Sequence, residues 1–357
     1  MEPSNYPLLQ EHPALADALP VPLGLLRPTP LESAAGLADT WIKRDDRSAE
    51  GYGGNKIRKL DFVLAEARDR RRPAIVCFGY AGSNFVAATA WHARAVGIPA
   101  LNFLLPQAPA PYVAGNLRVS LACGAELHAA RTTPGLVASA VSRSLGVFAR
   151  RGRWPAWVPP GGSSPLGAVG FVNAGLELAR QLRAQSLPPP ERIYIAFSSM
   201  GSVAGLALGL EFAGLPSHIH AVRVIDKGMA NPRAMRRLLV GTARLLERGG
   251  CKVDADSALA RVTIRDECYG PGYAQATPAV RAAMDRFDAD TGIATDTAYS
   301  GKAVACLLAD RGDGFGGRAL YWHTYAGPPA AMPGPVDPAG VPALLRHHLA
   351  SSPTQAE

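Results

Sequence analysis

Short, almost uninterrupted apolar runs alternate with longer segments whose apolar residues recur at helical spacing. No other feature constrains the fold of this 357-residue chain as strongly. The strand-like runs are 73–79, 99–105, 191–197, 219–225 and 318–323, and the predicted helices are 84–97, 166–184, 202–213 and 230–247. Strands alternating with helices of this length build βαβ units and parallel sheets. Runs that are apolar at nearly every position, rather than at every second one, belong to sheets covered on both faces. The length suggests two lobes. The polar, proline-bearing ends, 1–20 and 350–357, are expected to be less ordered.

Charge and cysteine content exclude several function classes. The 37 basic and 29 acidic residues leave a net charge of +8. The arginines of 143–153 and 233–248 are scattered among Ala, Leu and Val, which reads as solvated helix faces rather than a nucleic-acid interface. The five cysteines (Cys77, Cys123, Cys251, Cys268 and Cys306) are odd in number and contain no CxxC pair, against a disulfide framework or a zinc ribbon. No metal site is expected. The start lacks a basic segment followed by an apolar one, and there is no run of 18 apolar residues. A soluble, cytoplasmic protein without a membrane partner is therefore expected.

Glycine-rich turns follow several of the strand-like runs, where open α/β sheets bind their ligands. The segment KRDDRSAEGYGGNKIRKL (43–60) holds Lys56 just before a helical stretch. A lysine desolvated in such a turn becomes nucleophilic toward an aldehyde, yet GGNK alone is more often a helix entry with Asn55 as cap. FGYAGSNF (78–85) ends a strand and opens a helix, with Ser83 and Asn84 as caps or as ligands to a carboxylate and a phenolic oxygen. IAFSSMGSVAGLALGLE (195–211) offers Ser199, Met200, Gly201 and Ser202 at a helix start suited to phosphate, and is not a Walker loop. Its Gly201 and Gly205 also suit tight helix packing. CYGPGYAQAT (268–277) and DTAYSGKA (296–303) place tyrosines in loops, and ALYWHTYAG (319–327) puts His323 and Thr324 at a strand end. For His323 a structural role weighs more than a catalytic one.

In this order, over roughly residues 25–330, these segments resemble the pyridoxal-phosphate (PLP) dependent family of D-cysteine desulfhydrases and 1-aminocyclopropane-1-carboxylate deaminases. RPTPLE (27–32) and GGSSPLGAVGF (161–171) fit the same pattern, and GGNKxRKL is its most specific element. The resemblance implies the tryptophan-synthase β-like architecture, fold type II. That is an α/β protein of two three-layer αβα lobes with mostly parallel sheets: a large PLP-binding domain of 1–54 and 172–357, and a small domain of 55–171. It also implies a homodimer acting on a small amino acid.

The implied roles follow residue by residue. Lys56 holds the cofactor covalently, and Asn84 bonds its phenolic oxygen. Ser83 binds substrate carboxylate and relays protons. Ser199, Met200, Gly201 and Ser202 cradle the phosphate. Tyr273 and Tyr299 flank the substrate, and Thr324 sits beside the pyridine nitrogen. The implied reaction is α,β-elimination, with β-replacement, ring opening on an altered substrate, or binding without turnover as alternatives. Three departures bear on the substrate. Gly82 and Phe85 flank the Ser-Asn pair where the family carries polar residues, with Phe85 adding apolar bulk. Tyr325 and Ala326 follow Thr324 in place of glycines. Ser300 stands where deaminases carry a carboxylate.

Overall fold

The computed structural model describes residues 5–329 and 331–350. Ten strands run in chain order: β1 (Leu31–Ser33), β2 (Thr40–Arg44), β3 (Ile75–Tyr80), β4 (Ala100–Leu105), β5 (Glu126–Ala129), β6 (Ala156–Val158), β7 (Arg192–Phe197), β8 (His218–Arg223), β9 (Val262–Arg265) and β10 (Ala319–His323). The helices are α1 (Pro7–Glu11), α2 (Lys56–Asp69), α3 (Asn84–Ala95), α4 (Pro111–Ala122), α5 (Thr133–Arg151), α6 (Pro165–Ala184), α7 (Gly201–Phe212), α8 (Pro232–Arg248), α9 (Ala255–Ala260), α10 (Pro278–Thr291), α11 (Ser300–Gly312) and α12 (His347–Ala350).

The chain divides into two compact units. The first comprises residues up to Phe62 and Ser163–Ala326; the second comprises Val63–Gly162 and the residues from Gly327 onward. The expected large domain ended at 54 and resumed at 172, and it included everything after Ala326. The packing instead groups the tail with the second unit: Pro328 Cγ lies 2.6 Å from where a Cβ on Gly115 of α4 would sit.

The first unit is built on a six-stranded sheet of order β1-β2-β10-β7-β8-β9, antiparallel at β1–β2 and parallel elsewhere. One face packs Tyr194, Val222 and Tyr321 against Phe287 of α10 and Val304 and Leu307 of α11. The other meets α6 and α7, where Phe171 lies 5.9 Å from the Trp322 ring. α7 is apolar nearly all round, as full burial requires, and α6 is buried continuously from Gly167 to Ala179. The expectation that Gly205 serves packing holds, since a Cβ there would come within 2.1 Å of the Ala168 carbonyl oxygen. The second unit carries a parallel sheet of order β5-β4-β3-β6. On one face Val76, Leu101 and Phe103 pack on Leu136, Ala140 and Val147 of α5.

The expected looseness of the first 20 residues is not seen from Asn5 onward. Tyr6, Leu8 and Leu15 are fully buried, because apolar side chains spaced among polar ones turn inward together. The Tyr6 hydroxyl donates to Asp61, whose carboxylate also accepts from the backbone N–H of Leu23, Leu25 and Leu26. Residues 1–4 and 351–357 lie outside the described residues.

A cluster of charges lies inside the first unit. Arg58 donates to Asp45 (2.8 Å) and Glu177 (2.7 Å), Lys43 donates to Glu177, and Trp322 Nε1 donates to Asp45 (2.8 Å). Two cations and two carboxylates, all at most 7% exposed as side chains, cancel one another. Satisfied pairing is what makes such burial tolerable. The network fastens β2, β10, α6 and the first turns of α2 to each other.

Candidate active site

The turn that carries Lys56 is held from three directions. Gly54 N–H donates to the Asp45 carbonyl (2.9 Å), and Asn55 N–H donates to the Thr324 carbonyl (3.1 Å). The Asn55 side-chain amide donates to Ser202 Oγ (3.1 Å). Gly54 adopts φ +89°, a conformation open to glycine and strained for other residues. Asn55 is thus committed to the start of α7, and three segments more than 100 residues apart in the sequence meet at one turn. Burial, partly offset by the Asp296 carboxylate, lowers the Lys56 amine to about 8. Its Nζ stands 5.8 Å from the centre of the Tyr299 ring.

The start of α7 forms a cup of donors. Met200 precedes it in the left-handed region at φ 69°, a strained geometry of the kind that functional turns hold in place. Ser163 Oγ accepts from Gly201 N–H (3.1 Å) and donates to Ser199 Oγ (2.8 Å), and Lys59 Nζ reaches the same Ser163 hydroxyl at 3.4 Å. Burial and the neighbouring Lys56 charge press the Lys59 amine well below its ordinary range. A helix N-terminus with hydroxyls and a buried amine suits a phosphate dianion. Lys59 and Ser163 join the expected Ser199–Ser202 loop. Their signal was present in GGNKxRKL and GGSSP, but no local rule ties those two segments together.

Tyr273 and Tyr299 meet through their hydroxyls, with ring centres 5.8 Å apart. Tyr299 is seated by Asp296, a buried carboxylate absent from the sequence reading. Asp296 accepts from the backbone N–H of Ala298 (2.8 Å), Tyr299 (2.6 Å) and Ser300 (3.2 Å), and from the Ser300 hydroxyl (2.6 Å). Ser300 therefore anchors a loop. His323 is buried beside the Tyr321 hydroxyl, 3.0 Å away, and burial lowers it to about 4. Burial thus favours the uncharged ring, in keeping with the structural role expected of it. Thr324 is buried at the end of β10.

Ser83 and Asn84 belong to the second unit. Ser83 caps α3, its hydroxyl accepting from Val86 N–H (3.4 Å). Asn116 of α4 donates to both the Gly82 carbonyl (2.9 Å) and Asn84 Oδ1 (2.7 Å). A carbonyl only accepts, so the Asn116 atom at this contact is its amide nitrogen. The Asn84 atom facing that nitrogen is then its oxygen, and the other Asn84 terminus is a donor. Gly82 N–H is held by Gln107 (2.8 Å). A Cβ at Gly82 would lie 2.7 Å from the Tyr112 ring, so Tyr112 fills the space that a side chain at this position would need. Phe85, expected to add bulk at this turn, is instead 1% exposed and packed into the core.

A buried amine of lowered pKa, a cup of donors at a helix start and the ends of two parallel strands define a site of the PLP-enzyme class. The family model described as pyridoxal-phosphate dependent enzyme matches residues 23–324, and the chain belongs to that family. It is 35% identical over 323 residues to nocardicin C-9' epimerase of Nocardia uniformis subsp. tsuyamanensis, covering 86% of this chain and 93% of the relative. It is 30% identical over 302 residues to the mitochondrial bifunctional D-cysteine desulfhydrase/1-aminocyclopropane-1-carboxylate deaminase of Arabidopsis thaliana, covering 79% of this chain and 71% of the relative. Among solved structures, an ACC deaminase homologue superimposes with a TM-score of 0.74 at 27% identity, covering 91% of this chain and 95% of the other. The cofactor of the family is pyridoxal phosphate. Among the described residues no helix is long and apolar enough to cross a membrane.

Proposed function

We propose that this chain is a PLP-dependent lyase that removes the α-proton of a small amino acid and expels its β-substituent, in the manner of a D-cysteine desulfhydrase. The observation that carries the reading is the double tie of Asn55. It joins the Lys56 turn to the α7 start and to the end of β10, so that amine, phosphate cup and Thr324 share one frame.

Bound pyridoxal phosphate supplies an aldehyde for amines and a ring that takes up the electron pair left on Cα. The remaining work falls to the chain. Lys56, with its pKa near 8, keeps a useful neutral fraction at neutral pH, as attack on an aldehyde and acceptance of a proton both require. Lys59, Ser163, Ser199, Ser202 and the Gly201 N–H hold the phosphate. Thr324 would offer the ring nitrogen a neutral hydroxyl rather than a charged carboxylate. Tyr273 and Tyr299 flank the substrate. On the family resemblance, Ser83 takes the substrate carboxylate and Asn84 the phenolic oxygen.

The 35% identity to an epimerase supports a second reading, return of the proton to the opposite face of Cα. Both outcomes begin with loss of the same proton. The holoenzyme is incubated in D₂O with D-cysteine, L-cysteine, β-chloro-D-alanine and 1-aminocyclopropane-1-carboxylate, and pyruvate, 2-oxobutyrate, sulfide, Cα deuterium and configuration are measured. Pyruvate from a β-substituted substrate supports elimination. Inverted, deuterated amino acid without keto acid supports epimerisation. Neither product from any substrate overturns the lyase reading. Lys56→Ala is expected to remove the visible absorption of lysine-bound cofactor while leaving the far-UV circular dichroism unchanged.

A further inference from the structure

Two cysteines far apart in sequence lie together in the first unit. Cys268 begins the loop that carries Tyr273 and is half-buried; Cys306, on α11, is fully buried. Cys268 packs on the apolar cluster that contains Cys306. Cys306 Sγ also stands 3.9 Å from Glu267, the residue before Cys268. Lys302, one turn before Cys306, donates to the carbonyls of Tyr269 (2.5 Å) and Gly272 (3.0 Å), so loop and helix already touch on both sides of the pair.

We propose that Cys268 and Cys306 form a thiol–disulfide site that reacts with low-molecular-weight disulfides of the glutathione class. The two sulfurs have separate parts. The neighbouring Cys306 thiol and the Arg265 guanidinium draw the Cys268 thiol below its usual range, while Cys268 and burial hold Cys306 above it. Cys268, the more exposed, is the attacking thiolate, and Cys306 resolves. Cys268 thiolate attacks one sulfur of glutathione disulfide, forming a mixed disulfide and releasing one glutathione thiolate. Cys306, giving up its proton, then attacks the Cys268 sulfur and releases the second glutathione. Two protein thiols are oxidised, and one disulfide is reduced to two thiols. The other cysteines lack these features: burial pushes Cys77 up to about 12 and Cys123 up to about 11, and it raises Cys251 as well.

The bond would close a ring from 268 to 306 and clamp the Tyr273 loop to the helix that begins beside Tyr299. The holoenzyme, freed of reductant, is treated with glutathione disulfide, denatured, and assayed for thiols and for cross-linked peptides without reduction. The expected result is a fall from five thiols to three, with Cys268 and Cys306 peptides joined. Cys306→Ala is expected to trap glutathione on Cys268, and Cys268→Ser to leave Cys306 unmodified. Retention of all five thiols by the wild-type chain, modification centred on Cys77, Cys123 or Cys251, or a Cys306→Ala protein that takes no glutathione would each overturn the proposal.

Discussion

The Asn84 amide faces as it does because the Gly82 carbonyl can only accept, and Asn116 transmits that constraint. If Asn84 serves the phenolic oxygen, Asn116→Leu should weaken cofactor binding roughly tenfold, the equivalent of about 1.4 kcal/mol for one oriented hydrogen bond. It should also shift the visible maximum in an absorbance titration. A loss of thermal stability with unchanged cofactor affinity would mean that Asn116 only packs. The residues in contact with the site divide by legibility. Ser199 and Ser202 sit at a helix start whose local chemistry suits phosphate, whereas Lys56 reads alone as a helix-entry lysine and is legible only through the ordered set of segments around it. Asn116, Lys59 and Ser163 carry no such signal, because each acts on a partner brought to it by the fold. Asp296 fails for another reason: its partners lie only two to four residues on, but their N–H groups converge on it only once the backbone turns into α11.

At the scale of elements, the helices expected at 84–97, 166–184, 202–213 and 230–247 and the five apolar strands were readable to within a few residues, since burial on both faces leaves an unbroken apolar run, whereas α4, α5, α10 and α11 were given no range. β2 was not, although it lies beside β10 in the sheet. Its sequence TWIKR carries Lys43, whose charge is buried and cancelled by a glutamate 134 residues away. Short β5, β6 and β9 lack enough residues for a period to show. The α6–α7 crossing yields a firm expectation. Gly205→Val forces side-chain atoms into the Ala168 carbonyl, which cannot move without unwinding α6. Overpacking of that kind costs about 3 kcal/mol or more, against a few tenths for a tolerated surface change. Denaturant titration of Gly205→Val beside Gly312→Val, at the end of α11 where a Cβ meets nothing and φ is not positive, separates the close approach from β-branched strain.

Across the whole molecule, the charge cluster of Lys43, Asp45, Arg58 and Glu177 makes stability depend on pH. Arg58 and Lys43 hold Glu177 down at about 2 despite the opposing effect of burial. Because the folded value lies below the unfolded one, this contribution is complete above about pH 4.5 and is lost as pH falls through about 2. Glu177→Gln leaves two buried cations short of a partner and should cost about 3–5 kcal/mol at neutral pH. The difference from wild type should shrink in acid, as read by chemical unfolding from pH 7 to pH 3. The cup at the start of α7 has a practical consequence as well. Lys59 bears its charge there only against burial and the Lys56 charge, and a tetrahedral dianion in the cup relieves that cost. Inorganic phosphate should therefore compete with the cofactor during reconstitution. The PLP concentration needed to half-load the stripped protein is expected to rise with phosphate at constant ionic strength, and to stay flat when chloride replaces it. For this protein, the choice of buffer is then itself a choice of ligand.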